Sequence, residues 1–159
     1  MSELGRSATR VAEALAAHGI DAQIHQLPAS TRSAADAAAT LGCEIAQIIK
    51  SLVFRDVEND RPVLVLASGV DRVDENLLAR EVGAAVEQAP AAWVKRRTGF
   101  AIGGVSPLGH REPVTTVIDQ GVLRHELVWA AAGAPSAVFC ASPDALQKAT
   151  GAHVALLAG

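Results

Sequence analysis

IIKSLVF (residues 48–54), followed by the polar stretch Glu58-Asn59-Asp60 and then PVLVLAS (62–68), is the part of the sequence on which the fold turns. Two apolar runs of strand length separated by turn-forming residues read as a β-hairpin. Upstream, Leu4, Ala8, Val11 and Leu15 recur at i, i+4, i+7 and i+11, one face of a helix that Gly19 ends. Residues 20–27 read as a short strand broken by Pro28. Ser33, with Asp36 three residues on, caps an alanine-rich helix closing at Gly42, and residues 43–48 add a helical turn. Downstream, Asp74 caps a helix through Leu77, Leu78 and Val82 to Gly83, and residues 89–97 form one more short helix. Residues 114–118, 127–132 and 137–141 read as strands, and Ser142-Pro143-Asp144 opens a last helix that ends near Gly151. Helices and strands mix without a regular βαβ period or an internal repeat. This points to a mixed sheet, curved and covered by helices.

A chain of 159 residues predicts one domain over residues 1–159. Half the residues are hydrophobic and 19% are charged, a balance that excludes a disordered chain. With three Phe, two Trp and no Tyr, the core is built from Ala, Val, Leu and Ile, and extended base-stacking platforms are disfavoured. The net charge of −3 offers no global field for a nucleic-acid duplex. Cys43 and Cys140 support neither a disulfide framework nor a four-cysteine zinc site. The first residues, MSELGRSATR, carry no secretory apolar region, and the longest uncharged stretch, Leu127 to Pro143, is too short and too broken by Gly133, Pro135 and Pro143 to span a bilayer. A cytoplasmic location and no membrane partner are therefore expected.

Two features carry potential chemistry. Lys50 places an ammonium group inside one of the most apolar stretches, which costs free energy unless the group has a partner or an anion. Alternatively, its stem lies on apolar surface while the head reaches water. The second feature is TGFAIGGVSPLGH (98–110), with four glycines and a proline in a short span. Glycine lets main-chain N–H groups approach a ligand and proline fixes the exit direction, although a plain turn between strands has the same composition. No Gly-Lys-Ser/Thr follows, so the loop is not a Walker phosphate loop. The spacing Gly104-Val105-Ser106-Pro107-Leu108-Gly109 is one residue too long for a nucleophile elbow, which removes Ser106 as a hydrolase nucleophile. Adjacent Gly103-Gly104 does not fit a dinucleotide fingerprint. The histidines at 18, 25, 110, 125 and 153 include no i, i+4 pair, so no metal site and no cofactor are expected. His110 stands against the glycine loop. Lys95-Arg96-Arg97 before the loop and His110-Arg111 after it form a local basic rim, suited to a few phosphates of a nucleic-acid end or else to a solvated face.

Lys50 within IIKSLVF, the segment TGFAIGGVSPLGH about fifty residues later, and TTVID (115–119) resemble the YbaK and prolyl-tRNA synthetase editing-domain superfamily. Its strand lysine and G-x-x-x-P loop are met by Lys50 and by Gly103-Gly104-Val105-Ser106-Pro107. TRSAADAAATLGC (31–43), WAAAG (129–133) and SPDALQKATGA (142–152) extend the likeness through most of the chain. The resemblance implies an α/β fold of α+β type, a single curved, barrel-like mixed sheet surrounded by helices.

The resemblance also implies a free-standing deacylase that hydrolyses the ester of tRNA(Pro) mischarged with a small amino acid. Such a second sieve has a physical reason: a missing methylene is worth only about 1–3 kcal/mol, so a binding pocket alone rejects a smaller side chain by roughly 10- to 200-fold. In that picture no protein nucleophile is needed. Lys50 holds the terminal adenosine and its phosphate, Gly103, Gly104 and their loop neighbours orient the aminoacyl carbonyl through main-chain N–H groups, and a substrate ribose hydroxyl or a positioned water assists attack. Thr31, Arg32, Val105, Ser106, Pro107, His110 and Asp119 are the expected substrate-binding residues. The helix before the lysine and IIKSLVF look more like members that clear alanine or 2-aminobutyrate than those that clear cysteine. The implied partners are the acceptor end of aminoacylated tRNA and a prolyl-tRNA synthetase. A non-catalytic module that binds aminoacyl-tRNA or a synthetase through the same pocket is the alternative.

Overall fold

The structure, a computed structural model, describes residues 5–31 and 33–158. Helix α1 (Gly5–Ala17) buries Ala8, Val11 and Leu15, the stripe its periodicity predicts; Leu4 lies outside the described residues. Strand β1 (Ile24–Gln26) is shorter than the expected 20–27. Helix α2 (Ala34–Leu41) starts where the Ser33 hydroxyl accepts the Asp36 N–H and ends at the left-handed Gly42. A 3₁₀ turn (Ile45–Gln47) then leads into β2 (Ile49–Asp56), which pairs antiparallel with β3 (Arg61–Ser68), Lys50 lying opposite Ala67. Asp74 caps α3 (Glu75–Val82) by accepting the N–H groups of Asn76 and Leu77.

Strand β4 (Val86–Gln88), which sequence periodicity did not reveal, precedes α4 (Ala91–Thr98). The glycine loop follows, then β5 (Thr115–Asp119), a 3₁₀ turn (Gln120–Arg124), β6 (Val128–Ala131), β7 (Ala137–Ala141), α5 (Pro143–Thr150) and a last short strand, β8 (His153–Ala155).

The single curved sheet that was expected divides into two. One has the order β4-β2-β3-β5-β8, antiparallel across β4-β2-β3 and parallel across β3-β5-β8; the other has the order β1-β7-β6 and is antiparallel. They meet at a bridge between Ile48 and Trp129. Pro62 to Ser68 are all buried, because β3 is the central strand and is covered on both faces. Leu64, Leu66 and Ile118 point into the larger hydrophobic cluster with Phe100, Val105 and Phe139, whereas Val63, Val65, Ala67 and Val117 point into a second cluster with Leu78 and Leu157. Each fully buried Leu, Ile or Phe contributes roughly 1.5–3 kcal/mol. Ser68 and Asp119 end parallel-running strands at one end of the sheet, Ser68 beside the start of β2. Ligands of open parallel sheets gather beyond such carboxyl ends.

Candidate active site

The site has two halves, and the first is built on the start of β2. Strand alternation sends Ile49 into the larger cluster and Lys50 to the opposite face, above Ala67. There the half-buried Lys50 donates from Nζ to the main-chain carbonyl of Asp71. The segment after β3 is folded back to supply that carbonyl: the Gly69 N–H donates to the Ile48 carbonyl (2.7 Å), and the Ser68 hydroxyl donates to the Ala46 carbonyl (2.8 Å). A carbonyl does not neutralise an ammonium, and among the described residues Lys50 forms no ion pair. Its charge and its remaining donors are therefore available to an anion.

Asp119 ends β5, which is separated from the strand of Lys50 by β3. It is buried, and each carboxylate oxygen already accepts a main-chain N–H, Oδ1 from Leu157 (2.8 Å) and Oδ2 from Gly121 (3.0 Å). Its first duty is thus to start the 3₁₀ turn and to tie down the chain beyond β8. A methyl group placed on Gly121 would lie 2.8 Å from Asp119 Oδ2 and 2.9 Å from Asp71 Oδ2, so the two carboxylates flank that glycine. Asp71 was missed in the sequence; the hairpin register, which carries the end of β3 alongside Lys50, was the available signal. Thr31 is half-buried before α2, with its N–H donated to the Pro28 carbonyl (2.9 Å). Arg32 lies outside the described residues.

The glycine loop forms the second half. Helix α4 ends at left-handed Gly99, and the Thr98 hydroxyl donates to the Val94 carbonyl (2.7 Å) while accepting the Phe100 N–H (3.0 Å), which turns the buried Phe100 inward. Gly103 has φ +92°, a conformation that L side chains rarely adopt. Gly104 lies so close to the turn after β6 that an added Cβ would meet Ala134 main-chain atoms at 2.8–2.9 Å. Its N–H donates to the Ala101 carbonyl (2.9 Å). Gly104 contributes close approach. Among the described residues no acceptor meets the N–H groups of Gly103, Val105 or Ser106.

Val105, Ser106 and Pro107 are buried. The Ser106 hydroxyl accepts the Leu108 N–H (3.1 Å) and has no exposure, so it serves the turn. His110 Nε2 lies 2.6 Å from the Ser106 carbonyl. Because a carbonyl only accepts, Nε2 carries the proton and Nδ1 is left as a buried lone pair without a partner. Burial pushes the His110 pKa below its ordinary value, the Ser106 carbonyl opposes this, and the nearby Arg10 adds to the lowering.

The two halves stand on opposite faces of β2. Among the described residues no hydrogen bond or ion pair joins them; they are linked through β6, which begins at the Ile48 bridge and leads to the 132–135 turn on which Gly104 rests. On the basic rim, Arg97 is paired with Asp60 and Glu112 and stacks on Trp93, while Lys95, Arg96 and Arg111 stay exposed. Among the described residues no group of three His, Cys, Asp or Glu side chains could hold a metal ion. A hollow of about 620 Å³ between Asp21, Cys140 and Lys148 contains none of the expected site residues. No described helix is long and apolar enough to cross a membrane.

Residues 28–149 match the model of the aminoacyl-tRNA editing domain. A crystal structure of a candidate trans-editing enzyme for prolyl tRNA synthetase superposes with a TM-score of 0.93 at 44% identity, covering 99% of each chain. The uncharacterized protein YwhH of Bacillus subtilis (strain 168) is 27% identical over 125 residues, 79% of each protein. The proline–tRNA ligase of Limosilactobacillus fermentum is 36% identical over 89 residues, which span 54% of this chain and 16% of that ligase. With the matched residues covering most of its length, the chain belongs to the aminoacyl-tRNA editing domain family and is related to prolyl-tRNA synthetase editing.

Proposed function

We propose that the protein is a trans-editing deacylase that hydrolyses the ester of tRNA(Pro) mischarged with a small amino acid, alanine or 2-aminobutyrate ahead of cysteine. The observation that carries this reading is that the N–H groups of Gly103, Val105 and Ser106 meet no acceptor among the described residues. Donors aimed where an oxyanion develops are the largest single source of stabilisation in acyl transfer. The uncompensated ammonium of Lys50 suits the phosphate of the terminal adenosine.

Hydrolysis then proceeds by positioning. Water attacks the ester carbonyl carbon, and the tetrahedral oxyanion receives the loop N–H groups. The carbon–oxygen bond to the ribose breaks, and the proton lost by water passes to the departing ribose oxygen. A neighbouring ribose hydroxyl orients the water, so the substrate supplies the polar group that the loop lacks. Holding the reacting atoms together lowers the barrier by pre-paid entropy. Ser106 is not called on as a nucleophile, in keeping with its full burial.

The test is deacylation of tRNA(Pro) charged in turn with alanine, 2-aminobutyrate, cysteine, serine or proline, by the wild-type chain and by Lys50→Ala. Rapid loss of one small amino acid, intact prolyl-tRNA and an inactive but folded Lys50→Ala are expected. Decay of every ester at its spontaneous rate would replace the enzyme with the binding-module reading.

A further inference from the structure

Helix α1 lies before the matched residues 28–149, yet its first half touches both sides of the glycine loop. Arg10 donates from Nε to the Gly109 carbonyl (2.7 Å), and its guanidinium carbon stands 4.7 Å from the centroid of the Phe100 ring. The same guanidinium covers Gly99 so closely that an added Cβ there would lie 2.5 Å from Nη2. One turn earlier, the Ser7 carbonyl group lies 2.7 Å from where a Cβ on Gly133 would stand, in the turn that supports Gly104. The Phe100 ring in turn meets His110 edge-on at 5.2 Å, and His110 holds the Ser106 carbonyl. One arginine thereby fastens the entry of the loop at 99–100 and its exit at 109–110.

This fastening is not a stability device of the usual kind. Nη2 of Arg10 is buried with no partner, as is Nδ1 of His110. Buried polar atoms without partners destabilise, and an apolar side chain of similar shape is often tolerated as well or better. A planar guanidinium that bonds sideways while lying on a ring is, however, a shape no other side chain reproduces.

We propose that Arg10 is a positioning residue for the editing reaction: from α1 it sets the geometry in which the loop presents the N–H groups of Gly103, Val105 and Ser106. This rests on the deacylase reading above. The experiment compares Arg10→Met and Arg10→Lys with the wild-type full-length chain in two measurements. These are single-turnover hydrolysis of alanyl-tRNA(Pro) across substrate concentrations, and amide hydrogen exchange resolved over residues 99–110.

For Arg10→Met, the maximal rate should fall about 10- to 100-fold with the half-saturating concentration held within about twofold. Exchange should rise about tenfold in 99–110 and stay unchanged in β2 and β3. Arg10→Lys, which keeps charge and a donor but not the plane, should lose about 3- to 10-fold in rate, and it carries the test if Arg10→Met does not fold. A wild-type rate with wild-type loop exchange in a folded variant overturns the proposal, as does a rise in exchange spread over the whole sheet. Should the wild-type chain hydrolyse no aminoacyl-tRNA, the deacylase reading fails while the exchange measurement still decides whether Arg10 holds the loop.

Discussion

The lysine half and the glycine-loop half of the site solve the same problem, aiming polar groups at a ligand, in opposite ways. Lys50 stands on a strand whose register with β3 places it over Ala67, and the main chain of 68–71 answers its ammonium. The loop has no ladder to hold it. It is held by close contacts at Gly104 and Gly99, by His110 on the Ser106 carbonyl and by Arg10. Two of the three unpartnered buried side-chain atoms found among the described residues, Arg10 Nη2 and His110 Nδ1, are in this half. The third is the Ser51 hydroxyl oxygen, beside Lys50 on β2. The loop, whose N–H groups at Gly103, Val105 and Ser106 meet no acceptor among the described residues, is fastened from outside, by groups whose own bonding is incomplete.

That contrast can be broken by substitution. Lys50→Ala should lower the deacylation rate by about 10²- to 10³-fold, the scale of losing one stabilising group, with an almost unchanged thermal midpoint. A folded Lys50→Ala retaining more than about a third of the rate would remove the lysine from the reaction. Gly104→Ala should cost about 10²-fold, because the Cβ collides with the Ala134 main chain and moves the loop. Unlike Lys50→Ala it should also lower the thermal midpoint, and a wild-type rate with a wild-type midpoint would show that the close contact is dispensable.

Asp119→Asn tests the frame. The amide has one oxygen where the carboxylate uses two, so either the Leu157 or the Gly121 N–H loses its acceptor. The expected loss is about 1–3 kcal/mol. At roughly 2–4 °C of midpoint per kcal/mol, calorimetry resolves it, and no shift would mean that water replaces the bond freely.

The smallest effect is the pH dependence of His110. Its pKa in the folded chain lies below the ordinary value near 6.5, so below that pH the unfolded chain takes up the proton first. The stability this neutral histidine supports is complete above about pH 6.5 and declines as the pH falls from there through the folded value. His110→Gln keeps a donor for the Ser106 carbonyl and does not titrate. The drop in midpoint between pH 7.5 and 5.5 should therefore be smaller in His110→Gln than in the wild type, and equal drops would contradict the assignment.

The elements were readable wherever a local signal exists. The Ser33, Asp74 and Ser142 caps, the α1 stripe and the β2–β3 hairpin are all written in short-range chemistry and all form. Strands β4 and β8, three residues each, have too few positions to show a period, and they exist because a neighbouring strand offers its edge. The division into two sheets was not legible either, since it depends on which strands meet over long separations. In the site, Lys50 and the loop stood out because a charge in an apolar run and a cluster of glycines are unusual on their face. Asp71, Ala134 and Arg10 did not: a carbonyl that answers a lysine, a main chain that excludes a Cβ and an arginine lying on a ring are visible only once distant segments are packed.

The most direct test of a site divided between a phosphate-holding lysine and an ester-holding loop is to shorten the substrate. Hydrolysis of alanyl-tRNA(Pro) and of alanyl-adenosine, which keeps the ester but has no phosphate, would be measured with the wild type, Lys50→Ala and Gly104→Ala. The Lys50→Ala penalty should nearly disappear on alanyl-adenosine while the Gly104→Ala penalty persists on both substrates. Equal Lys50→Ala penalties on the two substrates would contradict that division, and would place the lysine at the ester itself.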